Sequence, residues 1–199
     1  MDGRLIIAGE RVETPKKLAS INPATLESLG EASLAAEDDC RRAIEAAKAA
    51  ERGWREMPVA AKKAIFLRVK EILLGRAGEL AELVCREKGS PVVEASAVDV
   101  ITGLEILDYY GCHLETARAP RGTRLHNPLF AHKTCAFLFQ PLGVTLIISP
   151  WNFPFVIPFS DATSALAAGN TVVLRPSSTT PFCGLFIGEV YREAGLPPG

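Results

Sequence analysis

The sequence lacks the long apolar segments and the concentrated charge that mark several large classes of protein. No apolar run approaches the length of a transmembrane helix, and the run at residues 5–8 is too short for a signal peptide. Basic and acidic residues number 22 and 23, a net charge of −1, without a basic stripe or cluster. The sequence therefore predicts neither membrane insertion nor binding to nucleic acid or to an anionic membrane surface.

The five cysteines lack the spacing of a disulfide framework or of a zinc site. They are odd in number, widely spaced and without a CxxC pair, a pattern that indicates free thiols in a reducing compartment. We therefore expect a cytoplasmic protein. The three histidines lack metal-ligand spacing, so they are interpreted as surface or turn residues and no metal site is predicted. The cysteines are Cys40, Cys85, Cys112, Cys135 and Cys183, and the histidines are His113, His126 and His132.

Short strands and then helices are predicted along the first part of the chain. Residues 1–35 are interpreted as an edge hairpin, with Leu5–Ala8 as a strand and Gly9 and Glu10 in a turn. Charged residues of the helices are assigned to a solvated face: Lys62, Lys63, Glu71 and Glu82. The predicted helices are 37–52 with a break at Gly53, a second from Pro58, 79–88, and 92–117 with the apolar stripe Val93, Ala97, Val100, Ile101, Leu104, Leu107 and Tyr110.

The glycine-rich phosphate loop G-x-G-x-x-G is absent from the chain, but residues 141–199 have the order strand, helix, strand, helix. Val144–Ile148 is a short continuous apolar run, typical of a parallel strand that is covered on both faces. A helix over 155–168, a strand at Thr171–Leu174 and a helix capped by Thr180 follow. Such a unit places its ligand loops at the carboxyl ends of its strands.

The loop after the first strand is stiff, because Pro150 and Pro154 fix φ and restrict the residues before them. Asn152 lies between these prolines and offers two N–H donors without a charge. A rigid neutral donor at a strand end suits an oxygen that becomes negative during a reaction. On this motif alone the favoured interpretation is different: Asn152 caps the helix that begins near Phe155.

Two segments of this unit closely resemble the aldehyde dehydrogenase superfamily in residues, order and spacing. They are QPLGVTLIISPWNFP at 140–154 and ALAAGNTVVLRPS at 165–177. Asn22–Thr25, Trp54 and Glu87–Ala95 also resemble the family, so the resemblance covers the chain from about residue 21 to residue 199. It implies an α/β fold that is the N-terminal part of the aldehyde dehydrogenase fold, with a helical layer, the start of a Rossmann-like parallel sheet and a protruding β-hairpin arm.

The resemblance also implies a division of the chain. We expect residues 1–119 to be the N-terminal strands and helices of the cofactor-binding domain, and 141–199 to be the incomplete first β-α-β-α unit of the NAD(P)-binding domain. Residues 120–140 are expected to form an oligomerisation hairpin that turns near 129–132 and carries the apolar run Cys135–Phe139. Proteins usually cover such an exposed edge with a partner, and a homo-oligomer is implied by the resemblance.

In aldehyde dehydrogenases the residue that matches Asn152 donates to the oxyanion of the thiohemiacetal intermediate, and the adjoining loop lies against the nicotinamide. The resemblance therefore implies that Asn152 is catalytic and that Ser149, Pro150, Trp151 and Asn152 contact the cofactor. Substrate-facing positions are expected on the long helix near Thr102–Tyr110.

The loop after the second strand predicts NADP in preference to NAD. The end of this strand meets the adenosine ribose, where an acid suits a free 2′-hydroxyl and an arginine accommodates a 2′-phosphate. The family pattern here is usually Lys-Pro-Ser-Glu, and this chain has Arg175, Pro176, Ser177 and Ser178 as the expected cofactor contacts. Arg175 adds a planar fork suited to phosphate, and Ser178 removes a repelling carboxylate. The alternative is neutral drift in a site that still takes NAD.

The cysteine nucleophile and the glutamate base of the family mechanism match no residue of this chain. Cys183 is nearest to the cofactor strands, but it lies on a predicted helix and is interpreted as core packing. We therefore expect a truncated chain, inactive alone, whose full-length protein oxidises an aldehyde to a carboxylic acid. The alternatives are a non-catalytic nucleotide-binding or oligomerising remnant and a CoA-acylating semialdehyde dehydrogenase.

Overall fold

The computed structural model describes residues 2–117, 119–123 and 125–199; Met1, Arg118 and Arg124 fall within predicted segments but lie outside the described residues. The chain begins with two antiparallel hairpins, β1 (Leu5–Ile7) with β2 (Glu10–Val12) and β3 (Lys17–Ile21) with β4 (Ser28–Ser33). The first turn is formed by Ala8 and Gly9, both at positive φ (53° and 77°), as a two-residue hairpin turn requires. The predicted turn at Gly9 and Glu10 is therefore one residue too late.

A helical layer follows, and its first helix is longer than predicted. It consists of α1 (Glu37–Glu56), α2 (Val59–Gly75), α3 (Ala77–Lys88), α4 (Val92–Glu94), a π-helical segment (Ala95–Ile101) and α5 (Thr102–Ala117). The predicted break at Gly53 is wrong, because α1 continues through Trp54. Trp54 is 2% exposed, and its Nε1 donates a hydrogen bond to the carbonyl of Leu166 at 3.0 Å. This distant contact stabilises the last turn of α1 more than one glycine weakens it.

Lys62 is the second correction in this layer. It was assigned to the solvated face, yet it is 1% exposed, whereas Lys63, Glu71 and Glu82 are exposed as predicted. Its ammonium group lies 5.0 Å from the centroid of the Trp54 ring and donates to the carbonyl of Arg55 at 3.4 Å. The aliphatic stem of a lysine packs well in an apolar layer when its charged end has such partners.

The long helix over 92–117 forms as predicted, and its apolar stripe is confirmed in part: Val100, Leu104, Leu107 and Tyr110 lie in the core or pack against it, whereas the other three residues do not. Val93 is 80% and Ile101 is 53% exposed, and Ala97 is exposed as well. The π-helical segment has a wider turn, so it rotates the following residues relative to an ordinary α-helix. The buried face now advances in steps of three or four residues: Ala95, Asp99, Gly103, Leu107, Gly111 and Leu114.

The hairpin arm consists of β5 (Arg121–Thr123) and β6 (Cys135–Phe137), paired antiparallel, with a 3₁₀ turn (Pro128–Phe130) between them. The predicted turn region is confirmed, although the second strand ends at Phe137 and not at Phe139. Phe137 and Leu138 are 64% and 67% exposed. The arm therefore presents an apolar surface to its surroundings.

The last part of the chain is the predicted unit of β7 (Val144–Ile148), α6 (Val156–Ala167), β8 (Thr171–Arg175) and α7 (Pro181–Glu193). β7 and β8 are parallel, with Val144 opposite Thr171 and Ile148 opposite Arg175. The core lies between the helical layer and the helices α6 and α7. Its aromatic centre, 0% to 1% exposed, is formed by Phe66, Phe155, Phe159, Phe182 and Phe186.

The continuous apolar run predicted that β7 would be covered on both faces, but this prediction is wrong. Ile147 is 6% exposed, but its neighbours Leu146 and Ile148 are 57% and 66% exposed. Alternate residues of a strand face opposite sides, so the side that carries Leu146 and Ile148 is largely exposed. Among the described helices, none has both the length and the apolar composition needed to cross a membrane.

Candidate functional site

The two predicted ligand loops lie side by side at the carboxyl edge of the parallel pair. Ile148 and Arg175 are opposite each other in the register, so both strands end at the same level. The N–H of Ser149 donates to the carbonyl of Arg175 at 3.1 Å and joins the first residue of one loop to the last residue of the other strand. The structure therefore brings together the residues that the sequence analysis assigned to the two halves of one site.

The first loop exposes the predicted donor. Ser149 is 6% exposed, whereas Pro150, Trp151 and Asn152 are exposed, and Trp151 keeps 60% of its surface accessible. The amide of Asn152 makes no hydrogen bond with any residue that the structure describes. Its two N–H donors are thus held on a proline-bounded loop and are directed at no internal partner. This is the arrangement that an external oxygen ligand requires.

The interpretation of Asn152 as a helix cap is wrong. Helix α6 begins at Val156, its N-cap position is Phe155, and no side chain of the loop caps it. The N–H of Val156 instead donates to Oδ1 of Asp99 at 3.0 Å. The cap of α6 therefore comes from the π-helical segment, 57 residues earlier in the chain.

Asp99 is a site residue that the sequence analysis missed. Its side chain is fully buried, and burial raises the pKa of its carboxyl, opposed by the backbone N–H groups of Val156 and Phe155 and by the charge of Lys88. Oδ2 has no hydrogen-bond partner among the described residues. The signal in the sequence was an acid in the middle of an otherwise apolar stripe, which usually needs a specific partner.

The second loop has both exposed and buried side chains. Arg175 and Ser178 are exposed, and Arg175 forms no ion pair with the described residues. Ser177 is 8% exposed, and its Oγ lies 2.8 Å from Oγ1 of Thr179. The hydroxyl of Ser177 therefore stabilises the loop itself, and Arg175 and Ser178 are the side chains that face outward.

Helix α7 also takes its cap from the helical layer. Thr180, predicted as the cap, makes no capping hydrogen bond. Glu87, 3% exposed, accepts from the backbone N–H groups of Phe182 and Cys183 at 2.9 and 2.8 Å, and from Oγ of Ser20 at 2.8 Å. Burial raises the pKa of Glu87, and these hydrogen bonds oppose that rise. The amino end of α7 is therefore already occupied by a carboxylate.

The two buried carboxylates limit what this edge of the sheet can bind. A helix amino end often holds a phosphate group, but one N–H at the start of α6 already donates to Asp99 and two at the start of α7 already donate to Glu87. This agrees with the absence of the G-x-G-x-x-G loop. Groups that face outward toward a ligand include the Asn152 amide, the loop around Trp151, the Arg175 guanidinium and the Ser178 hydroxyl.

Cys183 is buried in the core, as predicted from the sequence. It is 0% exposed, and burial raises the pKa of its thiol well above the ordinary value, reinforced by the nearby charge of Glu87. A buried thiol with a raised pKa is a poor nucleophile. Cys183 therefore contributes packing and not reactivity.

Comparisons with a family model and with curated proteins point to the same family. A model of the aldehyde dehydrogenase family matches residues 11–199. A 1-pyrroline-5-carboxylate dehydrogenase of Bacillus thuringiensis (strain Al Hakam) is 37% identical over the whole chain, which spans 38% of that relative. The chain therefore covers less than half the length of this relative.

Solved structures confirm the predicted fold. An NADP-dependent enzyme of E. coli has a TM-score of 0.90 and 30% identity, over 98% of this chain and 40% of that one. A Thermus 1-pyrroline-5-carboxylate dehydrogenase with bound NAD has a TM-score of 0.86 and 30% identity, over 98% of this chain and 37% of that one. Because the family match extends over nearly all of the sequence, including both loops of the site, this chain belongs to the aldehyde dehydrogenase family.

Proposed function

We propose that the chain supplies the oxyanion donor and part of the cofactor site of an NAD(P)-dependent dehydrogenase that oxidises an aldehyde to a carboxylic acid. The observation that carries this proposal is the exposed Asn152 amide, held on a rigid loop beside the end of β8. The attacking thiolate and the general base are proposed to come from a part of the full-length protein outside this chain.

Asn152 acts on the oxygen of the substrate carbonyl. When a thiolate adds to the aldehyde carbon, the carbonyl oxygen gains negative charge in the thiohemiacetal. The amide N–H of Asn152 donates to that oxygen without reorganising, because the proline-bounded loop already holds it in place. The same donor serves again when the thioester is hydrolysed, since water addition regenerates an oxyanion.

The cofactor is proposed to be a nicotinamide dinucleotide, with NADP favoured. The bound cofactor would supply the hydride acceptor for the oxidation. Arg175 and Ser178 fit the adenosine end, because the first offers an unpaired guanidinium and the second adds no carboxylate that would repel a 2′-phosphate. Trp151, Asn152 and the neighbouring Ser149 and Pro150 fit the nicotinamide end through the loop they form.

The substrate is proposed from the relatives. The curated relative at 37% identity is a 1-pyrroline-5-carboxylate dehydrogenase, and another structure at 30% identity is an NAD-dependent benzaldehyde dehydrogenase of Corynebacterium glutamicum. The semialdehyde in equilibrium with 1-pyrroline-5-carboxylate is therefore the first substrate to assay, with benzaldehyde as the comparison. Thr102–Tyr110 on α5 is the proposed source of substrate contacts from this chain, and α5 packs against α6 directly after the Asn152 loop.

We also propose a cytoplasmic homo-oligomer that uses residues 120–140 as its arm. The exposed Phe137, Leu138 and Phe139 offer an apolar surface that a second copy would cover. Residues 1–119 and 141–199 would then belong to the cofactor-binding part of each subunit. Leu138→Asp is expected to lower the oligomeric state in sedimentation, whereas substitution of the exposed Lys63 by Asp is not.

The experiment begins with the protein expressed from its own gene. Its intact mass is expected to exceed the 21.4 kDa of this chain. Asn152→Ala in that protein is expected to lower kcat for aldehyde oxidation about 100- to 1,000-fold, the usual cost of losing one oxyanion donor. Lys63→Ala, on an exposed part of α2, is the matched control and should leave kcat unchanged. A native mass of 21.4 kDa, or an Asn152→Ala enzyme with full activity, would overturn the proposal.

A further inference from the structure

The loop that carries Asn152 is anchored at its two ends by contacts of different kinds. At its start the N–H of Ser149 donates to the carbonyl of Arg175 at 3.1 Å. At its end the N–H of Val156 donates to the carboxylate of Asp99 at 3.0 Å. The first contact continues the sheet, and the second depends on one side chain from a distant element.

The Asp99 anchor is tightly enclosed. Asp99 and Phe155 are both 0% exposed, and the Phe155 ring stacks on Phe159 with centroids 4.8 Å apart. Gly103, one turn after Asp99, lets the long helix approach, because a Cβ there would lie 3.1 Å from Cε1 of Phe155. The amino end of α6 therefore has little freedom to move while the Asp99 contact holds.

The helix register explains why Asp99 reaches this position. It lies within the π-helical segment, whose wider turn places Ala95, Asp99 and Gly103 along one buried face. Val156 is four residues from Asn152, and the half-buried Phe153 is the residue directly after Asn152. A rotation of the amino end of α6 would therefore change the direction of the Asn152 amide.

We propose that Asp99 is the positioning residue for Asn152: its buried carboxylate fixes the amino end of α6 and, through it, the loop that directs the Asn152 amide. The assignment rests on the proposed role of Asn152. Charged and titratable groups reach Asp99 from three elements, namely Lys88 of α3, Glu94 of α4 and Cys183 of α7. None of these replaces the contact to Val156.

The two tryptophans of the chain provide a test that needs no enzymatic activity. Trp151 lies in the loop and is 60% exposed, whereas Trp54 lies in the core and is 2% exposed. Fluorine NMR of the fluorotryptophan-labelled full-length protein should give one resonance for each, assigned with Trp151→Phe and Trp54→Phe. Asp99→Ala is expected to shift or split the Trp151 resonance by more than its linewidth while the Trp54 resonance stays in place.

Two further variants separate positioning from general stability. Asp99→Asn keeps an acceptor oxygen for Val156 and should restore the wild-type Trp151 resonance. Glu87→Ala removes an equally buried carboxylate that caps α7, and it should leave the Trp151 resonance unchanged. If Asp99→Ala does not fold, Asp99→Ser replaces it, because the serine hydroxyl can bond to the preceding turn but is too short for Val156.

The outcomes distinguish this inference from the proposed function. An unchanged Trp151 resonance in Asp99→Ala or Asp99→Ser overturns the inference, as does an equal shift in Glu87→Ala. In the full-length enzyme, Asp99→Ala is expected to lower kcat at least tenfold with little change in KM for the cofactor, and Asp99→Asn to restore most of it. If Asn152→Ala retains full activity, the proposed function fails, but the effect of Asp99 on the loop stands or falls by the NMR result alone.

Discussion

Glu87 allows the strongest quantitative prediction, because its two carboxylate oxygens have different partners. Oε1 accepts from Ser20 Oγ at 2.8 Å and from the N–H of Phe182 at 2.9 Å, and Oε2 accepts from the N–H of Cys183 at 2.8 Å. All of these groups lie in the core, and Glu87 is 3% exposed. Substitutions at Glu87 can therefore remove one hydrogen bond or all three.

The expected loss of unfolding free energy in each variant follows from how many of these hydrogen bonds it removes. Glu87→Gln can keep the two bonds to Oε1 and lose the one to Oε2, since its NH₂ group faces the N–H of Cys183. One unsatisfied buried donor lowers the free energy of unfolding by about 1–3 kcal/mol, and we expect a loss of about 2 kcal/mol for Glu87→Gln. Glu87→Ala leaves three donors without an acceptor but also relieves the desolvation of a buried charge, so we expect about 4 kcal/mol.

Thermal unfolding of the 199-residue chain measures both effects. For a chain of this length, 1 kcal/mol lowers Tm by about 2–4 °C, so Glu87→Gln should lower it by about 4–8 °C and Glu87→Ala by about twice as much. Glu82→Gln is the matched control, because Glu82 is exposed on the same helix and its one ion pair among the described residues is with Arg86, at 3.9 Å. It should change Tm by no more than about 2 °C. If Glu87→Gln and Glu87→Ala lowered Tm equally, the assignment of two hydrogen bonds to Oε1 would be refuted.

The pH dependence gives an independent check with a definite sign. Burial raises the pKa of Glu87 above 4.5, so the folded state holds this proton more strongly than the unfolded state does. The stabilisation linked to that proton is complete below the unfolded pKa and is lost as pH rises through the folded pKa. The Tm penalty of Glu87→Gln should therefore be larger near about pH 5 than near about pH 8. If the decrease in Tm caused by Glu87→Gln grew with pH, hydrogen bonding would lower the pKa of Glu87 more than burial raises it.

Three further predictions concern the cofactor loop and the core. Ser178→Glu in the full-length protein should weaken NADP binding about five- to tenfold by calorimetry and NAD binding much less, because it adds a charge near the 2′-phosphate. Trp54→Phe should lower the free energy of unfolding in urea by about 1–2 kcal/mol, because the Leu166 carbonyl loses the indole donor at 3.0 Å. Trp151→Phe, at an exposed position, should lower it by less than about 0.5 kcal/mol. Asn170→Ala should cost about 2–4 kcal/mol, since Asn170 Oδ1 accepts from two backbone N–H groups before β7; Asn170→Asp, which keeps that oxygen, should cost less.

The sequence by itself determined the elements whose signals are local. β7 has the bounds that its apolar run predicts. The helix after it ends at Ala167 and is closed by Gly169, which adopts the positive φ of 94° that favours glycine. The long helix from 92 to 117 and the order of the last four elements were also predictable. The resemblance to the family was carried mainly by residues 140–154 and 165–177, because specific residue types recur there at fixed spacing.

Tertiary structure decided the features that depend on contacts between distant parts of the chain. The length of α1 depends on Trp54 and a carbonyl 112 residues away, and the caps of α6 and α7 come from Asp99 and Glu87, 57 and 95 residues earlier. A local pattern specifies which groups need a hydrogen-bond partner, but only the folded chain specifies which partner is near. For that reason the sequence predicted the two loops of the candidate site, and the structure revealed the buried carboxylates that hold the helices behind them.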